Sequence, residues 1–175
     1  MFFLFFEVTS ASSEVALYAP LKKGVNAWSM FTMPRTKSRL EEGYVYPPYG
    51  HHLPRFTISD FHRVRQQGFD FIRLPIDPGP FLDLAEDKWP ALMAGVRLAV
   101  RAALDEGLSV VLDVHPPTSH PVSRIDRIIN SYPERRPDDL AGRFSRLNVA
   151  FAMMLDREDV RRTLLEPMNE PGLDC

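Results

Sequence analysis

The sequence predicts an α/β fold: a partial (β/α)8 barrel of about the first four strand–helix units, with parallel strands. Three observations carry this. From Leu21 onward, short apolar strands alternate with amphipathic helices, the order that builds a parallel sheet. The segment Ser109–Val114 is almost wholly apolar, as in a parallel strand covered on both faces. Asn26, Arg73, His115 and Glu170 each fall at a strand C-terminus, the end where barrel active sites assemble. A doubly wound nucleotide-binding sheet needs a glycine-rich turn after its first strand, and Trp28-Ser29-Met30 stands there instead. A complete barrel takes about 250 residues. This chain has 175 and shows four strands, so it reads as the first half of one.

The elements follow in order. The first strand covers Lys22–Asn26. The first helix runs from about Ile58 to Gln67, with Thr57 and Asp60 as a capping box, an Ile58/Phe61/Val64 stripe and Gly68 as its stop. The second strand is Phe69–Ile76, followed by a rigid loop, Pro75–Pro80. Asp87 is placed to cap a helix over Trp89–Glu106, whose Leu92, Val96, Ala99, Val100 and Ala103 share a face before Gly107 ends it. After Ser109–Val114, a long loop leads to a helix at about Asp139–Leu155, with Leu140, Phe144, Leu147 and Phe151 at helical spacing. A fourth strand, about Thr163–Met168, reaches Asn169-Glu170-Pro171.

Composition narrows the function. Hydrophobic residues at 45% and charged residues at 25% describe an ordinary globular chain. A net charge of −2 gives no basic field for nucleic acid or anionic membrane. No apolar run approaches the roughly 20 residues of a spanning helix. The lone Cys175 rules out an internal disulfide. Residues 1–20 read as a disordered or signal-remnant segment. The apolar run Met1–Phe6 lacks the basic start of a secretory signal, so the compartment stays open. Residues 21–175 read as one truncated catalytic domain.

Strand parity gathers the polar residues. Phe69, Phe71 and Arg73 share one face of the second strand; Val111, Asp113 and His115 share one of the third; Glu166, Met168 and Glu170 share one of the fourth. Inward charges are costly unless paired or used, so Arg73 is expected beside carboxylates. Glu170, after an apolar strand and before Pro171, is the candidate general acid/base, because a partly dry pocket raises a carboxyl pKa toward neutrality. Asp113 and His115 could instead reach a cation, a metal-dependent alternative that lacks further ligands. The loop Trp28–Arg55 carries Trp28, Phe31, Tyr44, Tyr46 and Tyr49. These either stack on sugar rings or pack the loop over the rim, and Trp28 is the preferred stacking residue. His51, His52 and His120 lie in predicted loops.

Four segments, Lys23–Asn26, Phe71–Pro75, Val111–His115 and Leu165–Pro171, resemble in order the first four strands of family 5 glycoside hydrolases, the family of cellulases and other endo-β-glycanases. The resemblance implies a retaining hydrolase of internal β-glycosidic bonds, with β-glucan or a related polysaccharide as substrate and no metal or organic cofactor. It makes Glu170 the acid/base and Asn169 the holder of the sugar 2-hydroxyl. It has His115 contact the same sugar and Arg73 orient the nucleophile. Asn26 and Trp28 complete the substrate-binding set. Simple alternation turns Asn169 away from the side of Glu170, so the family arrangement requires an irregular strand end.

Retention also needs a second carboxylate about 5–5.5 Å from the first, carried in the family by a seventh strand. Glu166 would lie about 13 Å below Glu170 at strand rise. The nucleophile is therefore expected to be absent from this chain, the chain to be inactive alone, and its open strand edges to favour aggregation. The rival expectation is a non-catalytic carbohydrate-binding fragment.

Overall fold

A computed structural model describes residues 21–39, 43–49, 57–117 and 140–169. Its elements are β1 (Gly24–Asn26), α1 (Asp60–Gln66), β2 (Phe71–Ile76), α2 (Gly79–Asp83), a 3-10 turn (Glu86–Lys88), α3 (Trp89–Asp105), β3 (Ser109–Val114), α4 (Leu140–Leu155) and β4 (Thr163–Glu166). The strands form one parallel sheet in the order β1-β2-β3-β4. Consecutive parallel neighbours joined through helices make this a partial (β/α)8 barrel, as the alternation predicts.

Burial divides by parity. Ile72, Leu74, Ile76, Val110, Leu112 and Val114 are wholly buried against the helices. From the helix side come Val96, Ala99, Val100 and Ala103 of α3 and Phe144, Leu147 and Phe151 of α4. The opposite face carries Arg73, Asp113 and Glu166, in register rows Asn26–Arg73–Val111–Leu164 and Pro75–Asp113–Glu166. The helices thus take the apolar half of each strand and leave the polar half for the barrel interior. Arg162 ties β4 down by donating to the carbonyls of Leu104 and Leu108 at 2.7 and 2.6 Å.

Five local expectations need correction. Ile58 precedes α1 and is exposed, so only Phe61 and Val64 pack. The Asp60 carboxylate does accept from the Thr57 N–H at 2.8 Å, but the Thr57 hydroxyl donates to that same carboxylate, which is half of a capping box. Asp87 caps nothing: it lies in the 3-10 turn, and α3 starts at Trp89 with Pro90 in its first turn, where a missing N–H costs nothing. The Pro75–Pro80 segment is not all loop. Asp77 Oδ1 accepts from the Gly79 N–H at 2.8 Å and leads into α2.

The end of β4 is the fifth. Val110 pairs with Thr163, and the Val110 N–H donates to the Arg162 carbonyl. Continued regularly, that ladder would bring the Met168 N–H to the Val114 carbonyl. The Asn169 N–H is there instead, at 3.0 Å. One extra residue is accommodated after Glu166, beside Pro167, which has no N–H to give. The shift reverses side-chain phase. Met168 packs against the core between sheet and helices rather than sharing the face of Glu166.

Candidate active site

Arg73 projects from the middle of β2 and holds three partners. Its Nε and Nη2 donate to Glu166 Oε2 and Oε1 at 2.8 and 2.7 Å, a two-pronged pairing suited to a planar guanidinium. Nη2 also donates to Asn169 Oδ1 at 2.8 Å and lies 2.9 Å from Asp113 Oδ2. One side chain therefore ties β2 to β3, to β4 and to the irregular strand end. The expectation that Arg73 sits among carboxylates is met, and the irregular end turns Asn169 to the same side as Glu166.

Asp113 is fully buried on β3, and its Oδ2 also meets His115 Nδ1 at 2.9 Å. Its Oδ1 has no hydrogen-bond partner among the described residues. Burial raises the Asp113 carboxyl above the usual carboxylate range. The His115 hydrogen bond and the Arg73 charge oppose that rise, and the Glu166 charge adds to it. For the metal alternative, Asp113 and His115 do lie side by side, but among the described residues no three metal-ligating side chains converge.

His115 follows β3, with its N–H donating to the Ile76 carbonyl at 2.8 Å. Trp28 stands edge-on to its ring, centroids 4.8 Å apart at 87°. The Ala27 N–H, donating to the Arg73 carbonyl at 2.9 Å, and the Thr32 hydroxyl, donating to the Trp28 carbonyl, hold that turn. Trp28 remains 45% exposed, so an apolar ring faces solvent beside the polar cluster. Asn26 is exposed in the Arg73 row and makes no side-chain hydrogen bond among the described residues. Glu170, His51, His52, His120 and Cys175 lie outside the described residues, as does the 1–20 segment.

The other loop aromatics do not line a cleft. Phe31 and Tyr44 are buried and Tyr49 is partly buried. The Tyr49 hydroxyl donates to the Asp77 carbonyl at 2.6 Å, and that of Tyr46 to the Pro80 carbonyl at 2.7 Å. They fasten the loop onto α2, and the packing alternative holds for them. Sequence reading gave Asp113 only a metal role, although its parity with Arg73 and His115 already marked it as a shared partner.

A partial barrel whose strand C-termini carry Arg73, Asp113-x-His115 and Asn169 on one face has the make-up of a barrel hydrolase. The cellulase family, glycosyl hydrolase family 5, matches residues 36–174. The chain belongs to glycosyl hydrolase family 5, of which it is an N-terminal portion.

Solved structures agree on the fold. A Bacteroides ovatus GH5 xyloglucanase in complex with a XXXG heptasaccharide is similar over 85% of this chain and 30% of its own, at 23% identity and TM-score 0.63. A GH5-4 broad specificity endoglucanase from Ruminococcus flavefaciens is similar over 86% and 40%, at 24% identity and TM-score 0.60. A trimodular GH5_4 endoglucanase matches over 89% and 26%, at 18% identity and TM-score 0.62. The chain thus spans between about a quarter and two fifths of their lengths. Among curated proteins none matches.

Proposed function

We propose that residues 21–175 form the acid/base side of the cleft of a retaining endo-β-glycanase acting on the internal β-glycosidic bonds of a glucan-backbone polysaccharide. The observation that carries this is the Arg73 hub. It joins Glu166, Asp113 and Asn169 from neighbouring strands, and the next residue is Glu170. Polysaccharide of the cellulose or xyloglucan type is the substrate class, supported by the family and by the sugar complex among the similar structures.

In this reading Glu170 delivers its proton to the glycosidic oxygen as the bond to the anomeric carbon breaks. A carboxylate from a later strand attacks that carbon from the opposite face. Glu170 then takes a proton from water as the glycosyl–enzyme ester is hydrolysed. Asn169 holds the 2-hydroxyl, and the Asn169–Arg73 hydrogen bond fixes its amide so that the NH2 is free to donate. Arg73 supplies positive charge toward the nucleophile. His115 contacts the same sugar, Trp28 stacks on a neighbouring ring, and Asn26 lines the cleft. Glu166 does not serve as the nucleophile, because Arg73 grips both of its oxygens. No metal or organic cofactor enters these steps.

Two measurements test the reading. In any form of this protein that hydrolyses β-glucan, Glu170→Gln should lower kcat/KM by about 10²–10⁴-fold on unactivated substrate. The loss should be far smaller on an aryl glycoside whose leaving group departs without a proton. Equal losses on both would overturn the acid/base assignment. The 175-residue chain by itself is proposed to bind cello-oligosaccharide in calorimetry without turning it over. Metal-independent hydrolysis by that chain, abolished by Glu170→Gln, would contradict the expected inactivity. Binding that Glu170→Gln leaves intact, in a full-length protein with no turnover, would favour a carbohydrate-binding role.

A further inference from the structure

We infer that Asp113 is a positioning residue that fixes His115 with its proton on Nδ1, so that Nε2 is presented as a hydrogen-bond acceptor for a substrate hydroxyl. The sugar-facing part of this inference rests on the function proposed above; the tautomer does not.

The argument is one of donors and acceptors. Asp113 Oδ2 lies 2.9 Å from Arg73 Nη2 and 2.9 Å from His115 Nδ1. Both Nη2 hydrogens go to Glu166 and Asn169, so the guanidinium meets Oδ2 as a bare positive charge, which disfavours a proton on that oxygen. A proton bound to Asp113 would sit on Oδ1, which has no hydrogen-bond partner among the described residues. In either charge state, then, Oδ2 accepts, and the hydrogen between it and His115 must be on Nδ1. The raised Asp113 carboxyl does not disturb this. In the neutral ring Nε2 keeps its lone pair, and it has no protein partner among the described residues. Trp28, edge-on at 4.8 Å, and the His115 N–H to the Ile76 carbonyl restrict the imidazole further. Arg73, held by Glu166 and Asn169, sets its charge against the same oxygen, so one buried carboxylate links two groups given roles in the site.

The test begins with the wild-type 175-residue chain, labelled with 15N-histidine and studied at about pH 8, where free imidazole is neutral. His115, assigned by loss of its signals in His115→Gln, should show a protonated Nδ1 and an unprotonated Nε2. A protonated Nε2 overturns the inference without any variant. Asp113→Asn keeps an accepting oxygen for His115 and should retain this tautomer; Asp113→Leu should give a mixture. An unchanged tautomer in Asp113→Leu likewise overturns it.

Cellotetraose titration supplies the second readout. Affinity should fall about five- to tenfold in Asp113→Leu, the scale of one hydrogen bond, and be restored by Asn. Binding unaffected by Asp113→Leu would remove the positioning role. An intact tautomer with no cellotetraose binding in wild type would sink the substrate reading and leave the tautomer assignment standing.

Discussion

Asp113 has the least ordinary environment among the described residues: a wholly buried carboxylate on a strand, with one oxygen bonded to His115 beside the Arg73 charge and the other without a partner there. A carboxyl raised on folding binds its proton more tightly in the native state than in the unfolded one. Its stabilising contribution is therefore fully present at low pH and is lost as pH rises through the raised value. Relative to Asp113→Asn, which does not titrate, the wild type should lose stability as pH climbs from the carboxylate range toward neutrality. Chemical denaturation at several pH values checks this, and a difference that grows in the other direction would contradict it. The groups facing Asp113 that shape the curve are Arg73, His115 and Glu166. Holding a costly charge for the sake of two neighbours is what a site, rather than a core, would require.

Elements in this chain end where backbone chemistry says they must. Gly68 and Gly107 follow α1 and α3 with φ of +77° and +80°, a conformation that disfavours a side chain. A Cβ on Gly107 would meet nothing closer than Arg65 Nε at 3.6 Å. Gly107→Ala should therefore show the backbone cost alone, about 1 kcal/mol, read as a shift in urea midpoint. A change of several kcal/mol would mean that the turn itself rearranges. These stops, the helical stripes and β3 were legible because each depends on residues close in sequence. Helix α2 was not, because a five-residue helix begun at Pro78 and Pro80 is too short to show periodicity. Its one local signal was Asp77, two residues before Gly79. The end of β4 was half-legible: the need for an irregularity followed from where Asn169 had to point, but not its form.

At the scale of the whole molecule, the four described strands form an open sheet. Among the described residues, β1 and β4 each pair on one side only, and the inward face bears Arg73, Asp113 and Glu166. Unpaired edges template pairing with other chains. The 175-residue chain is expected to self-associate at micromolar concentration, as size-exclusion chromatography with light scattering would register. A monodisperse monomer with one cooperative unfolding transition would refute this.

The sequence by itself determined the α/β class, the strand order and the face on which the polar residues lie, because alternation and helical period are properties of neighbours along the chain. It also carried the family, through four strand-end segments spaced as that family spaces them. Only the tertiary structure decided that Trp28 and not the tyrosines stands open beside His115, that Met168 leaves the polar face, and that Asp113 links Arg73 to His115. Each depends on groups far apart in sequence meeting within hydrogen-bond or van der Waals distance, and such distances are set by how the strands register and the helices pack.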